Sequence, residues 1–233
     1  MFVLSRVKKQ QHEISLERYH GPLITNGVEL GYIKIVPWLN LFLSGIVFWG
    51  DPKYFRNIFL ILLFLAIFTS IYSFFNFIII KCRFLSYMLL IAGFLNLLIC
   101  LDYIVFEMFI SDETGLFSSQ FFVKGDILML VIISIIMTFF VYPYFYRRDR
   151  RTNGAYREKE SKFNSEDNKL FSSNFLLIFG LVVFVPPLLT GYIENVFGLF
   201  SGILFTLTIP ALVVDSFYAA LYAKQHPEEI DEL

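Results

Sequence analysis

The side chains of this sequence with the clearest capacity for chemistry are carboxylates within or beside long apolar runs. An ionisable group at the centre of a membrane helix costs about 2.5–3.5 kcal/mol to insert, so it tends to be retained for binding a cation, a proton or a partner. Asp102, Glu107 and Asp126 lie near the ends of apolar runs. For these three we favour the alternative of ordinary carboxylates that are wetted at helix ends. Asp215 lies deeper in the last run, and both interpretations stay open for it.

Residue patterns typical of enzymes and metal sites are missing from the sequence. It contains no His-x-x-Glu-His or Cys-x-x-Cys pattern, no Gly-x-Ser-x-Gly elbow and no glycine-rich phosphate loop. The three histidines lie outside the long apolar runs, at His12, His20 and His226. Cys82 and Cys100 flank one run and are interpreted as small apolar residues. We therefore expect a protein without catalysis, metal or cofactor.

Composition is typical of a polytopic membrane protein. Of the 233 residues, 57% are hydrophobic and 19% aromatic, whereas only 17% are charged, below the quarter that is usual in soluble domains. The charged residues are concentrated between long apolar runs. The lipid bilayer is therefore the first expected partner, and we expect no nucleic-acid partner.

Six apolar runs predict an all-α bundle of membrane helices over residues 35–223. A helix needs about 20 residues to cross a hydrocarbon core of about 30 Å. The first run has only 16 uncharged residues and contains Pro37, so it is either a short span or a re-entrant helix. The bundle is therefore predicted to have five or six spans. The six runs are 35–50, 57–80, 84–110, 127–146, 170–193 and 196–223.

Three hydrophilic segments complete the predicted organisation. Residues 1–34 alternate polar and apolar positions between Gly-Pro and Asn-Gly turn signals, which predicts a small β-hairpin or meander with its last strand over Val28–Ile33. Residues 147–169 form a charged loop between the fourth and fifth runs. Residues 224–233 form a short acidic tail.

The arginines that follow the fourth run predict the orientation in the membrane. Four arginines at the end of a membrane helix are hard to translocate, so the loop 147–169 is predicted to be cytoplasmic. With six crossings, 16 of the 19 Lys and Arg residues lie inside and both termini are cytoplasmic. If the first run does not cross, the N-terminus lies outside. Contact with anionic lipids is a secondary interpretation. The four residues are Arg147, Arg148, Arg150 and Arg151.

The sixth run opens with a GxxxG spacing, formed by Gly198 and Gly202. Small residues four apart on a helix let a second helix approach closely. We favour packing inside the same bundle, and a seam between two copies of the chain is the alternative.

The N-terminal third resembles a known family. A short segment with Arg18-Tyr19-His20-Gly21 leads through a second predicted strand into Val36-Pro37-Trp38-Leu39-Asn40-Leu41-Phe42. This pattern resembles the opening of the tandem five-span membrane proteins of low-GC Gram-positive bacteria. Those proteins pair a small β-like piece with a Pro-x-x-Asn-aromatic apolar run, and their charged cytoplasmic loop between later spans is also similar.

The resemblance implies a function. Characterised members of that family are immunity proteins, which protect the producing cell against a membrane-depolarising toxin exported by type VII secretion. We therefore expect a non-enzymatic protein of the bacterial cell membrane, with a cytoplasmic C-terminus, that binds such a toxin. The candidate contacts lie on the outer loops 111–126 and 191–195 and near them: Asp102, Glu107, Asp126, Glu194, Gly198 and Gly202.

Two other functions stay open. The first is a small-molecule carrier, or a substrate-binding membrane subunit of a transporter, with its ligand in a pocket between helices. A polar cavity at Asp215 or Asp102 would favour it, whereas a dry, packed bundle would argue against it. The second is a regulatory or scaffolding subunit that is recognised through the loop 147–169.

Overall fold

The structure is a computed structural model that describes residues 28–50, 55–110, 130–152 and 191–227. These residues are largely helical and contain no strand. A 3₁₀ turn, Leu30–Lys34, precedes the first α-helix. The helices are α1 Val36–Gly50, α2 Arg56–Tyr72, α3 Asn76–Lys81, α4 Arg83–Ile110, α5 Leu130–Arg151 and α6 Ile193–Gln225.

Three of these helices, α4, α5 and α6, are long and apolar enough to cross a membrane. The helices α1 and α2 are also apolar but have 15 and 17 residues. At 1.5 Å per residue they measure about 22 Å and 25 Å, which is less than the hydrocarbon core of about 30 Å. The prediction of an all-α bundle with membrane-length helices is therefore confirmed for the described residues.

Several predictions fall on other parts of the chain. The proposed hairpin before Val28, Asp126, the part of the charged loop 147–169 beyond Thr152 and the acidic tail beyond Pro227 lie outside the described residues. The fifth apolar run also lies there, except for its last residues. The start of the charged loop is a correction, because residues 147–151 form the last turn of α5.

The prediction that the hairpin ends in a strand over Val28–Ile33 is wrong. Residues Leu30–Lys34 form a 3₁₀ turn instead of a strand. Leu30 and Ile33 lie three apart, so a helix with three residues per turn aligns them on one face. Both side chains, together with Val28, are almost fully buried in the main hydrophobic core. The spacing that suggested strand alternation therefore serves a single turn packed against α4.

The second apolar run is also a correction, because it does not form one continuous helix. The helix α2 ends at Tyr72 and α3 begins at Asn76. The ammonium group of Lys34 donates to the carbonyl oxygen of Ser73, 2.6 Å away, and to the side-chain oxygen of Asn76. The Lys34 ammonium thus binds polar groups at the break between α2 and α3, where the chain turns. The hydropathy of the second run does not indicate the break, because Lys34 lies outside that run.

The helix α2 ends beside the first turn of α4. The hydroxyl groups of Tyr72 and Ser86 are hydrogen-bonded at 2.8 Å, and both side chains are buried. Ser86 also donates to the carbonyl oxygen of Ile79 in α3, at 3.1 Å. The segment between α2 and α4 therefore starts and ends at the same end of the bundle.

The helices α4 and α6 form an antiparallel pair at the centre of the fold. At one end, the guanidinium of Arg83 donates to the carbonyl oxygens of His226 and Pro227, at 3.0 Å and 2.8 Å. At the other end, the side-chain amide of Asn195 donates to the carbonyl oxygen of Phe109, at 2.7 Å. These contacts join opposite ends of α4 to opposite ends of α6, so the pair is in register along the length of α4.

A second face of α4 holds α1 and α2 through a buried polar network. The side-chain amide of Asn96 donates to the carbonyl oxygen of Leu62 in α2, at 3.1 Å. Its oxygen accepts from Ser44 of α1 at 3.2 Å and from the thiol of Cys100 at 3.3 Å. Polar side chains buried in an apolar bundle need internal partners, because lipid offers none. Asn96 therefore ties three helices together.

Asn40 forms a second contact between α1 and α4. It lies one turn nearer the start of both helices than the contacts of Asn96. Its side-chain amide donates to the carbonyl oxygen of Gly93, at 2.8 Å. A Cβ atom on Gly93 would lie 3.1 Å from Val36 Cγ1, so glycine permits the close approach. Asn40, which carries part of the family resemblance, is thus a packing residue of the α1–α4 contact.

The helix α5 packs on α6 through two tyrosines. The ring of Tyr146 stacks on that of Tyr218, with centroids 3.5 Å apart, and the hydroxyl of Tyr142 donates to the carbonyl oxygen of Leu207. A π-helical turn, Met137–Val141, interrupts α5 just before Pro143. Proline has no N–H for the normal helical bond, and a wider turn accommodates that loss.

Almost all basic side chains of the described residues lie at one end of the bundle, which we call the basic end. Lys34 lies at the end of α2, Arg83 contacts the end of α6, and the arginines of α5 directly follow Tyr146, which stacks on the last third of α6. The opposite end carries Arg56 at the start of α2. The residues of the basic end are Lys34, Lys81, Arg83, Arg147, Arg148, Arg150, Arg151 and Lys224.

We predict that Asn96→Ala destabilises the bundle by about 1–2 kcal/mol, because Ser44 and Cys100 lose a buried acceptor and Leu62 loses a donor. Thr208→Ala is the matched control. Its hydroxyl bonds to the carbonyl oxygen of Leu204 on its own helix, so we expect a loss of about 0.5 kcal/mol or less. Denaturant titration of helicity in bicelles measures both values, and equal losses would contradict the role given to Asn96.

Candidate functional site

An apolar cleft of about 240 Å³ lies between α4, α5 and α6 toward the end opposite the basic end. The tyrosines of α5 hold it against α6 in the basic half of the bundle, whereas near its start α5 leaves space beside the α4–α6 pair. The surface of the cleft is almost entirely carbon. Its lining residues are Val105, Phe106 and Phe109 of α4, Leu130 and Ile133 of α5, and Gly198, Leu199, Gly202 and Ile203 of α6.

The floor of the cleft is a backbone contact between α4 and α6. A Cβ atom on Gly198 would lie 2.6 Å from the carbonyl oxygen of Val105 and 2.7 Å from the amide nitrogen of Phe109. No side chain fits there without moving one helix. At Gly202 a Cβ atom would lie 3.3 Å from Val105 Cγ2, a side-chain atom that can shift slightly. The GxxxG spacing therefore serves packing inside the bundle, the alternative that the sequence favoured.

Asp102 lies one turn from the cleft, toward the basic end. The hydroxyl of Thr206 in α6 donates to its carboxylate at 3.4 Å. Thr206 is almost fully buried, whereas Asp102 is partly exposed. The carboxylate thus lies at the edge of the α4–α6 interface and remains partly exposed.

Glu107 and Glu194 lie at the rim of the same end of the bundle. Both side chains are exposed. The bond between Asn195 and the carbonyl oxygen of Phe109 joins the segments that carry them. The structure therefore brings Asp102, the two glutamates and the two glycines of the cleft to one end of the α4–α6 pair.

Asp215 belongs to a different part of the molecule. It is 1% exposed and lies on α6 in the basic half of the bundle. Nine residues separate it from Thr206 in sequence, which is about 13 Å along a helix. Its neighbours Val214 and Ala211 on α6 pack in one cluster with Tyr142 of α5. Asp102 and Asp215 therefore form no shared site, and neither lines the cleft.

The arginines lie on the last turns of α5, away from the cleft. Arg147, Arg150 and Arg151 are exposed, and Arg148 is partly buried with its guanidinium 4.8 Å from the ring centroid of Phe145. Exposed guanidinium groups at the end of a membrane helix suit the topological role that the sequence predicted.

Sequence analysis missed the polar residues that accompany the glycines on α6. Asn195, Gly198, Gly202 and Thr206 follow one another at spacings of three and four, so they share one face of the helix. A helical projection of the sixth run shows this stripe. The contribution of α5 to the cleft has no such signal, because Leu130 and Ile133 are two of many apolar residues in their run.

The class that the fold supports is a helical membrane protein whose described helices border an apolar cleft at one end. Among the residues described here, no three His, Cys, Asp or Glu side chains are grouped closely enough to hold a metal ion. Comparisons with protein-family models, with curated proteins and with solved structures found no match to the chain.

We predict that Gly198→Ala lowers stability by about 1–3 kcal/mol, because the added methyl group meets backbone atoms of α4. Gly202→Ala meets only a side chain and should cost less than about 1 kcal/mol. The two variants have the same chemistry on the same helix, so each controls for the other. Thermal unfolding in detergent measures the difference, and a Gly198→Ala protein as stable as the original chain would contradict the backbone contact.

Proposed function

We propose that this chain is a multi-pass protein of the bacterial cell membrane that acts as an immunity protein. It binds the membrane-inserting part of a depolarising protein toxin and blocks pore formation, without catalysis. The observation that supports the proposal is the apolar cleft with carboxylates beside it, at the end of the bundle opposite the arginines. An apolar pocket flanked by polar groups suits the anchoring side chains of a partner helix.

The size of the cleft favours a protein partner over a transported molecule. Small-molecule sites usually enclose about 300–1,000 Å³, whereas this cleft encloses about 240 Å³. Its apolar surface offers no polar group for a substrate. A few side chains of a toxin helix would fill it, and Glu107 and Glu194 would then attract basic residues of that helix.

The proposed orientation places the basic end in the cytoplasm and the cleft toward the outside, with six crossings and both termini inside. Short α1 and α2 would cross by thinning the bilayer locally or by extending into the interface, at a modest cost per ångström of mismatch. The basic end has an exposed native thiol, Cys82, whereas Cys100 is buried.

We predict that a membrane-impermeant maleimide leaves the chain unlabelled in intact cells and labels Cys82 after permeabilisation. In a Cys82→Ser background, Glu194→Cys should be labelled in intact cells, because Glu194 is exposed at the other end. Labelling of Cys82 in intact cells would reverse the proposed orientation.

We predict that cells expressing the chain keep their membrane potential when challenged with the toxin-like products encoded by neighbouring genes. Leu199→Trp fills the cleft and should lower the toxin concentration that depolarises half of the cells by about tenfold. Leu204→Trp is the matched control, since Leu204 is exposed on the same helix and does not line the cleft. A potential-sensitive dye gives the measurement. Equal collapse with and without the chain, for every neighbouring product, would refute the immunity function.

The second candidate function is a small-molecule carrier, and the burial of Asp215 favours it. A carboxylate buried within a membrane-length helix is typical of proton or cation coupling. If the chain carries a substrate in reconstituted vesicles, Asp215→Asn should abolish the accompanying movement of ions. A flux that continues unchanged would exclude Asp215 as the coupling residue.

A further inference from the structure

The short helix α3 packs against the basic end of the bundle through Ile79. The hydroxyl groups of Tyr72 and Ser86 are hydrogen-bonded, so the chain between α2 and α4 starts and returns at the same place. Ile79 of α3 is fully buried, and its carbonyl oxygen accepts from Ser86. Lys34 holds the start of α3 through Asn76. These contacts attach α3 to the basic end at both its first residue and its buried face.

The residues that lead into α3, together with α3 itself, expose aromatic side chains. Phe74 is 68% exposed and Phe77 is 75% exposed, and Phe75 is about half exposed. The indole of Trp38 packs edge-on against the Phe74 ring, with centroids 5.6 Å apart. We call Trp38, Phe74, Phe75 and Phe77 the phenylalanine patch. Exposed apolar groups on this scale need an apolar neighbour, since water solvates them poorly.

Basic groups border this patch. Lys81 is exposed at the end of α3, and its ammonium group lies 5.6 Å from the ring centroid of Phe77. Lys224 of α6 lies over the ring of Phe84, at 5.7 Å. The patch thus combines aromatic rings with positive charge at the level where the membrane-length helix α4 begins. Aromatic and basic side chains are typical of the zone between acyl chains and headgroups.

We propose that α3 is an interfacial anchor that binds anionic phospholipids of the leaflet at the basic end. The phenylalanine patch enters the boundary of the acyl chains, and Lys81 binds the headgroup phosphate. The positive charge beside the patch favours an anionic partner. A lipid leaflet is favoured over an acidic soluble protein because the patch continues into the exposed apolar surface of α2 and α4, which includes Phe68, Ile71 and Leu85. That surface belongs in lipid. The anchor also accounts for the division of the second apolar run, since a continuous helix would carry Lys81 beyond the interface.

Trp38 is a natural reporter for this contact. The chain has two tryptophans, Trp38 and Trp49, so Trp49→Phe leaves one indole, which touches the patch. The protein is reconstituted in phosphatidylcholine vesicles in which a fixed fraction of lipid is replaced by brominated phosphatidylcholine or brominated phosphatidylglycerol. We expect both lipids to quench Trp38, with a preference for phosphatidylglycerol of at least about fivefold.

Two charge variants in the same background test the role of Lys81. Lys81→Gln should lower the preference for phosphatidylglycerol by about fivefold. The Trp38 emission of this variant in neutral vesicles should stay unchanged, because Lys81 is exposed. Arg56→Gln removes the same charge from the opposite end and should leave the preference unchanged.

Three outcomes would overturn the anchor. No quenching by either lipid would mean that protein covers the patch. Equal quenching by both lipids in the unsubstituted chain would mean that charge plays no part. Equal effects of Lys81→Gln and Arg56→Gln would mean that net charge, and not α3, selects the lipid. The experiment uses no toxin, so its result is independent of the proposed immunity function.

Discussion

The backbone contact between α4 and α6 at Gly198 is the constraint on which the rest of the structure depends. Lipid provides no hydrophobic force between helices, so the two can pair only through close packing and internal hydrogen bonds. Glycine supplies the packing, and Asn195, Thr206 and Arg83 supply the bonds along the seam. Once α4 is held in this way, its other face is presented to α1 and α2. The polar network around Asn96 then has a fixed partner surface.

The same constraint produces the cleft. The helices α4 and α6 touch backbone to backbone at the end opposite the basic end. Few large side chains therefore fill the space beside this contact. The described contacts of α5 with α6 include Met137, Tyr142 and Tyr146, which lie beyond the residues of α5 that line the cleft. The cleft is the space that remains between a tightly joined pair and a third helix that diverges from it. Its apolar character follows from the residues that surround this junction.

The arrangement separates functions along the axis of the bundle. Positive charge, the aromatic anchor and the tie between Arg83 and the end of α6 lie at one end. The cleft, Glu107 and Glu194 lie at the other. Asp215 lies in the basic half of α6, well away from Asp102. A binding surface at the cleft is therefore compatible with a separate role for Asp215.

For Gly198 and Gly202 the sequence favoured packing inside the bundle over a seam between two copies, and the structure shows the contact with α4. The class of protein, the positions of α4, α5 and α6, and the end at which the arginines of α5 lie could be predicted from the sequence alone. These follow from local properties: a long apolar run must be helical in lipid, and charge at its end marks a boundary. The three-dimensional structure established where α2 stops, because Lys34 lies far from Ser73 in sequence. It also decided that Val28–Ile33 is no strand and that Leu130 and Ile133 meet the glycine face. Such features depend on contacts between distant segments, and hydropathy describes each segment alone.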